Sequence, residues 1–175
     1  MSLHDEPGGV ETGPGNRVVY ELARNEAWFG AAQVGGHALR FELEEAPRED
    51  ALLSAAVDPG ADWLMRCDRV DFPPGGVAYR HTHPGPGIRC LLHGRIRIES
   101  EGDVGEYGPL EPWFESGPEP VFAAAAEQEE TAFVRVMLLP PDWAGRRTIS
   151  YVDPTDAEKP KTQRATVFLE EPLSL

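Results

Sequence analysis

Residues 75–94 read GGVAYRHTHPGPGIRCLLHG. A β-prone run, VAYRHTH, ends in two histidines one residue apart, and four of the next five positions are proline or glycine. In a strand, residues i and i+2 face the same side, so His81 and His83 are expected to project together from the end of that run. Neutral imidazole is the commonest transition-metal ligand, and two on one strand supply two adjacent coordination positions. The spacing alone is weak evidence, because paired strand histidines also arise as hydrogen-bonded wall residues.

The same grammar continues on both sides. DWLMRCDRVDF (62–72) precedes the stretch and IRCLLHGRIRIES (88–100) completes it; VFAAAA (121–126) and TAFVRVMLL (131–139) follow, and ATVFLEEPL (165–173) lies near the end. Short runs of β-branched and aromatic residues, separated by Gly/Pro breaks at regular spacing, predict an all-β sandwich or barrel. RVVYELA (17–23) and HALRFEL (37–43) read either as strands or as one short helix followed by a strand. Residues 1–16, rich in Gly, Pro and acids, are expected to be a flexible segment ahead of a single domain over 17–175.

The chain has 175 residues, enough for one domain with a sizeable core. Its net charge of -14 argues against nucleic acid as a partner, which needs clustered Lys and Arg, and against an anionic membrane surface. No apolar run approaches a membrane span and no secretory leader is visible, so a cytoplasmic location is the expectation. Cys67 and Cys90 lie in separate apolar runs without ligand spacing and are expected to be buried reduced thiols. There is no P-loop and no GxGxxG after a strand, so no nucleotide cofactor is expected.

In register, the opening stretch resembles the first motif of the cupin superfamily: Gly75, five residues, His81-Thr82-His83, three residues, Gly87, six residues, Gly94. The resemblance covers about 20 residues directly and, through the strand pattern, about residues 60–140. It implies a cupin-type β-barrel (double-stranded β-helix, or jelly roll) with minor helix, a homodimer packed sheet on sheet, and a cavity beside His81 and His83. One departure matters. Gly87 stands where the family has a metal-binding glutamate. The second motif, placed through the lead-in YGPLEPWFE (107–115), puts Val121 at the third histidine, and no histidine follows His93.

Two of four family ligands therefore remain. Glu115 is the best replacement, with Glu119 a poorer one, so the candidate metal set is His81, His83 and Glu115, for one divalent transition metal such as Fe, Mn, Ni or Zn. Arg89 follows Gly87 by two and would share its inward face, where a guanidinium suits a carboxylate or phosphate. Against this, Ile88, Cys90 and Leu92 are the apolar set of the same strand, and both patterns hold only if its outer face is covered. Tyr79 shares the parity of His81. His93 reads as a turn residue, and Trp113 and Phe114 as core.

The expected function is binding of a small, anionic organic molecule near His81 and His83, through Tyr79, His81, His83 and Arg89. The alternative is a metal-dependent enzyme of dioxygenase or isomerase type on a reduced His81/His83 site. The fold does not choose between them.

Overall fold

The computed structural model describes residues 1–46, 48–58, 62–100 and 102–173. The N-terminal third supplies β1 (Ser2–Glu6), β2 (Val10–Thr12), β3 (Arg17–Glu21), β4 (Glu26–Phe29), β5 (Ala32–Val34), β6 (Ala38–Glu42) and β7 (Leu53–Ser54). Five of them form one antiparallel sheet in the order β4-β3-β6-β1-β7, and β2 pairs with β5. The two segments of 17–43 that read either way are both strands. β3 and β6 pair with Val18 opposite Phe41 and Tyr20 opposite Leu39, and the β-branched run in RVVYE is buried on both faces.

The opening segment is a correction to the expectation of a flexible residues 1–16. Ser2–Glu6 is an inner strand, hydrogen-bonded to β6 on one side and β7 on the other. Leu3 is fully buried, and the Met1 amino group donates to the Ala55 carbonyl at 2.8 Å. Averaged composition hid this. The Gly and Pro residues are confined to turns, as at Gly9 with φ 84°, while SLHDE carries the apolar contact.

The rest of the chain forms β8 (Leu64–Phe72), β9 (Val77–Thr82), β10 (Gly87–His93), β11 (Ile96–Ser100), β12 (Asp103–Tyr107), β13 (Pro112–Glu115), β14 (Val121–Ala125), β15 (Thr131–Leu139), β16 (Ser150–Tyr151) and β17 (Arg164–Pro172). They make two five-stranded antiparallel sheets, β13-β10-β15-β8-β17 and β12-β11-β14-β9-β16. Val70, Phe72, Leu91, Ile98, Trp113 and Phe133 pack between them. This is a jelly-roll barrel. Its helix content, among the described residues, is two 3-10 turns, at Pro141–Trp143 and Pro154–Ala157.

Alternation along β8, β10 and β15 explains why these strands read as nearly continuous apolar runs. Cys67, Ile88, Cys90, Val134 and Val136 point out of the barrel, and there they meet Leu3, Val18, Tyr20, Leu39 and Phe41 of the N-terminal sheet in one shared core. Both thiols are free, and burial pushes Cys90 up to about 12. The outer face is thus covered by the chain's own sheet. The homodimer expected from the resemblance would have to use another surface.

Because β1 is central to that cover, Leu3→Ala should cost about 2–5 kcal/mol in urea unfolding. Deleting residues 1–6 should abolish the single cooperative transition, whereas removal of a mobile tail would leave the midpoint where it was.

Candidate functional site

The site forms where the inner faces of β8, β10, β13 and β15 meet β9. On β9, Ala78 stands opposite Ala123 and His81 opposite Val121, so Tyr79 and Arg80 together span the place of Phe122. This is a β-bulge, and it resets the alternation. Ala78 and His81 both face inward, although they are three residues apart. Tyr79, expected on the same face as His81, turns away from the cavity instead and carries the Lys159 ammonium 4.4 Å over its ring. A bulge contributes no side-chain pattern, so simple parity misplaced this residue.

His81 and His83 are both buried, with ring nitrogens Nε2 3.2 Å apart. His81 Nδ1 lies 2.7 Å from the Tyr79 carbonyl, and His83 Nδ1 lies 2.9 Å from the Thr148 carbonyl. A carbonyl only accepts, so each Nδ1 carries the proton and each Nε2 presents a lone pair to the cavity. Burial lowers the pKa of His81. It lowers that of His83 further, helped by Arg135 and Arg89, so both rings are neutral near pH 7.

Next to this pair a row of charges crosses the sheet. Arg135 stands opposite Asp68 on one side and Arg89 on the other. Two guanidinium groups directly opposite each other are unfavourable, and a carboxylate flanks each of them. Arg135 is bidentate on Asp68, with Nε to Oδ1 at 2.6 Å and Nη2 to Oδ2 at 3.1 Å. Arg89, fully buried, donates to the Gly87 carbonyl at 2.6 Å and has Nη2 2.7 Å from Glu115 Oε2. That last contact is close but out of hydrogen-bond alignment. Arg89 Nε and Nη2 and Glu115 Oε2 are buried without an aligned partner, while Glu115 Oε1 accepts from Trp113 Nε1 at 2.8 Å. Burial draws Arg89 down to about 10 against the pull of Glu115.

Gly87 has a physical reason beyond the absence of a ligand. It faces β15 so closely that a Cβ there would lie 2.5 Å from the Val136 carbonyl oxygen and 2.9 Å from Met137 Cγ. Its cross-strand partner is Glu115, which returns a carboxylate to the same level of the barrel from the neighbouring strand. Val121 borders the same cavity where the third histidine was absent.

A metal at this point finds only part of a shell. The 3.2 Å between the two Nε2 atoms suits two imidazoles on one ion, for which about 2.9–3.4 Å is expected, and the carbonyl-held Nδ1 groups are what metal-bound histidines usually have. The remaining donors do not fit. Glu115 Oε2 is 3.8 Å from His83 Nε2 and lies against Arg89, and Arg135 Nη1, a cation, is 3.4 Å from the same Nε2. No group of three His, Cys, Asp or Glu arranged to hold a metal occurs among the described residues.

Two spaces adjoin the site. The inner pocket, about 40 Å³, is bordered by His81, His83, Arg89, Glu115, Val121 and Arg135. The outer cleft, about 540 Å³, is bordered by Arg66, Asp68, Arg135, Arg146, Arg147 and Glu170. They share the wall of Arg135, Ile149, Gln163 and Ala165. His93 lies outside both, exposed, with Nδ1 on the Glu130 carbonyl at 3.1 Å. Sequence reasoning missed Asp68, Arg135, Arg146 and Arg147. For Arg135 a signal existed: it is the only charged residue in TAFVRVMLL, buried over its whole length.

Two expectations follow. Gly87→Glu, which writes the family ligand back into the motif, should destabilise the barrel by about 1–3 kcal/mol through overpacking and gain no metal, as urea unfolding and elemental analysis would report. For pH, an imidazole with a lowered native pKa binds fewer protons than its unfolded counterpart at about 6.5. The unfolded chain is therefore favoured as pH falls below that value, and stability is independent of these groups above it. A His81→Gln, His83→Gln double variant should lose part of the wild-type decline in stability between about pH 6.5 and pH 5.

No family model and no curated protein matches the chain. Solved structures similar to it include the polyketide cyclase RemF from Streptomyces resistomycificus, at 22% identity and a TM-score of 0.43, with 54% of this chain and 63% of the cyclase aligned. A cupin 2 domain-containing protein from Halorhodospira halophila aligns over 64% of this chain and 83% of its own, at 12% identity and a TM-score of 0.44. A cupin-like protein from Thermotoga maritima aligns over 55% and 73%, at 17% and 0.42. This likeness concerns fold alone. The chain's own strand order and two-sheet barrel make it a jelly roll, and the register of Gly75, His81, His83 and Gly94 is the one on which the cupin resemblance rests.

Proposed function

We propose that this chain binds a small organic anion in the cleft at the barrel mouth, with the inner end of the ligand beside His81 and His83. The observation that carries this reading is the charge of the cleft. In a chain of net charge -14, four arginines and two acids border one cavity. Arg135 is paired with Asp68 and Arg66 with Glu170, which leaves Arg146 and Arg147 as guanidinium groups without an acidic partner among the described residues. Guanidinium favours carboxylate and phosphate, and a cavity of this volume is in the range that encloses a small ligand.

The anion site expected at Arg89 moves outward in this reading. Arg89 already faces Glu115 and the Gly87 carbonyl, so it furnishes the inner end of the cavity and the anion is left to Arg146 and Arg147. The expected ligand residue Tyr79 drops out. A metal-dependent enzyme of dioxygenase or isomerase type on His81, His83 and Glu115 is the second reading, favoured by the Nε2 separation and opposed by the two guanidinium groups.

Titration with small carboxylates should give saturable binding that weakens with salt and falls by about tenfold or more in an Arg146→Ala, Arg147→Ala double variant. Protein purified without a histidine tag should carry transition metal well below one equivalent. A full equivalent that disappears in His81→Ala, His83→Ala would reverse the order of the two readings.

A further inference from the structure

The two spaces that meet at Arg135, Ile149, Gln163 and Ala165 differ in chemistry as well as size. The outer cleft carries uncompensated positive charge. The inner pocket does not: Asp68 faces Arg135, Glu115 faces Arg89, and the two imidazoles are neutral. A second anion would gain little there. The inner pocket nevertheless demands hydrogen bonds. Both Nε2 atoms only accept, because each Nδ1–H is held by a carbonyl; Arg135 Nη1 donates to His83 Nε2 at 3.4 Å, which leaves His81 Nε2, 3.2 Å from it, facing another lone pair. Glu115 Oε2 is a further buried acceptor without an aligned donor, and Arg89 Nε and Nη2 are buried donors without an aligned acceptor.

A group that answers both needs must donate to an imidazole or to Glu115 and accept from Arg89. A hydroxyl does both, an ionised carboxylate only accepts, and an alkyl group does neither. At about 40 Å³ the inner pocket has room for roughly two or three water-sized groups, and Val70, Phe72, Val121 and Phe133 give it an apolar side for carbon atoms. Buried polar atoms without aligned partners are costly, so a ligand that supplies such partners is selected over one that does not.

We infer that the ligand is an organic anion bearing hydroxyl groups remote from its charge, the anionic end against Arg146 and Arg147 and a hydroxyl held between His81, His83 and Arg89. The inference rests on the reading of the outer cleft as an anion site.

Three six-carbon probes separate the two claims: D-gluconate, with charge and hydroxyls; hexanoate, with charge alone; and D-glucitol, with hydroxyls alone. Titration of the full chain, followed by NMR or calorimetry, should show gluconate binding at least about tenfold more tightly than either of the others. His83→Ala should weaken gluconate more than hexanoate, so that the preference for gluconate over hexanoate falls from about tenfold to near unity. Hexanoate binding as tightly as gluconate would overturn the hydroxyl requirement and leave the anion site standing. Glucitol equalling gluconate, or no binding of either carboxylate, would overturn the anion site and this inference together.

Discussion

The ion pair between Arg135 and Asp68 is the constraint on which the inner architecture turns. Burying either charge alone would cost several kcal/mol, and even a good buried pair often contributes little net stability. Its importance lies in what it positions. Arg135 reaches Asp68 on β8, Thr148 on the connection after β15 and His83 beside β9, so one guanidinium ties three parts of the barrel to the same point. Its β10 neighbour Arg89 repeats the arrangement with Glu115 on β13. The sheet therefore carries acid, base, base, acid across four strands, and the two neutral imidazoles sit against the basic centre.

The connection of residues 140–163 between β15 and β17 completes the site. It supplies the Thr148 carbonyl that orients His83, the Ile149 and Gln163 side chains that part the two spaces, and the Arg146 and Arg147 guanidinium groups of the cleft. It is held to the barrel wall through β9, where Val152 donates to the Arg80 carbonyl, the Thr162 hydroxyl bonds to Val77 and Lys159 lies over the ring of Tyr79. Orientation of an inner histidine and definition of the outer cleft thus depend on one segment.

Much of this was legible in the sequence and some of it was not, for definite reasons. The barrel could be read because period-two alternation, Gly/Pro breaks and the spacing from Gly75 to Gly94 all agree. Arg89 and Cys90 each looked inward-facing because the strand is buried on both sides, and nothing in IRCLLH says that the cover comes from residues 1–43. The N-terminal strand escaped notice because five residues, SLHDE, make up β1 within a stretch dominated by turn formers. Asp68 and Arg135 escaped because attention to histidines favours metal ligands, whereas the signal here was charge inside an apolar run. Tyr79 was misplaced by an alternation that the bulge interrupts.

That bulge also changes how the site tolerates alteration. Substitutions at Tyr79 or Arg80 act on an outer surface and leave the phase of the strand intact. Loss of either residue would keep it too: with the two reduced to one, Ala78 and His81 would stand two apart opposite Ala123 and Val121, and regular alternation would hold both on the inner face. At the present length of VAYRHTH the bulge itself keeps His81 turned towards His83, because regular alternation over the three steps from Ala78 would carry His81 to the outside. The bulge absorbs one residue without changing which way His81 points, so a single-residue deletion at Tyr79 or Arg80 should disturb the cavity less than one between Gly87 and Leu91 of β10, where the pairing is regular.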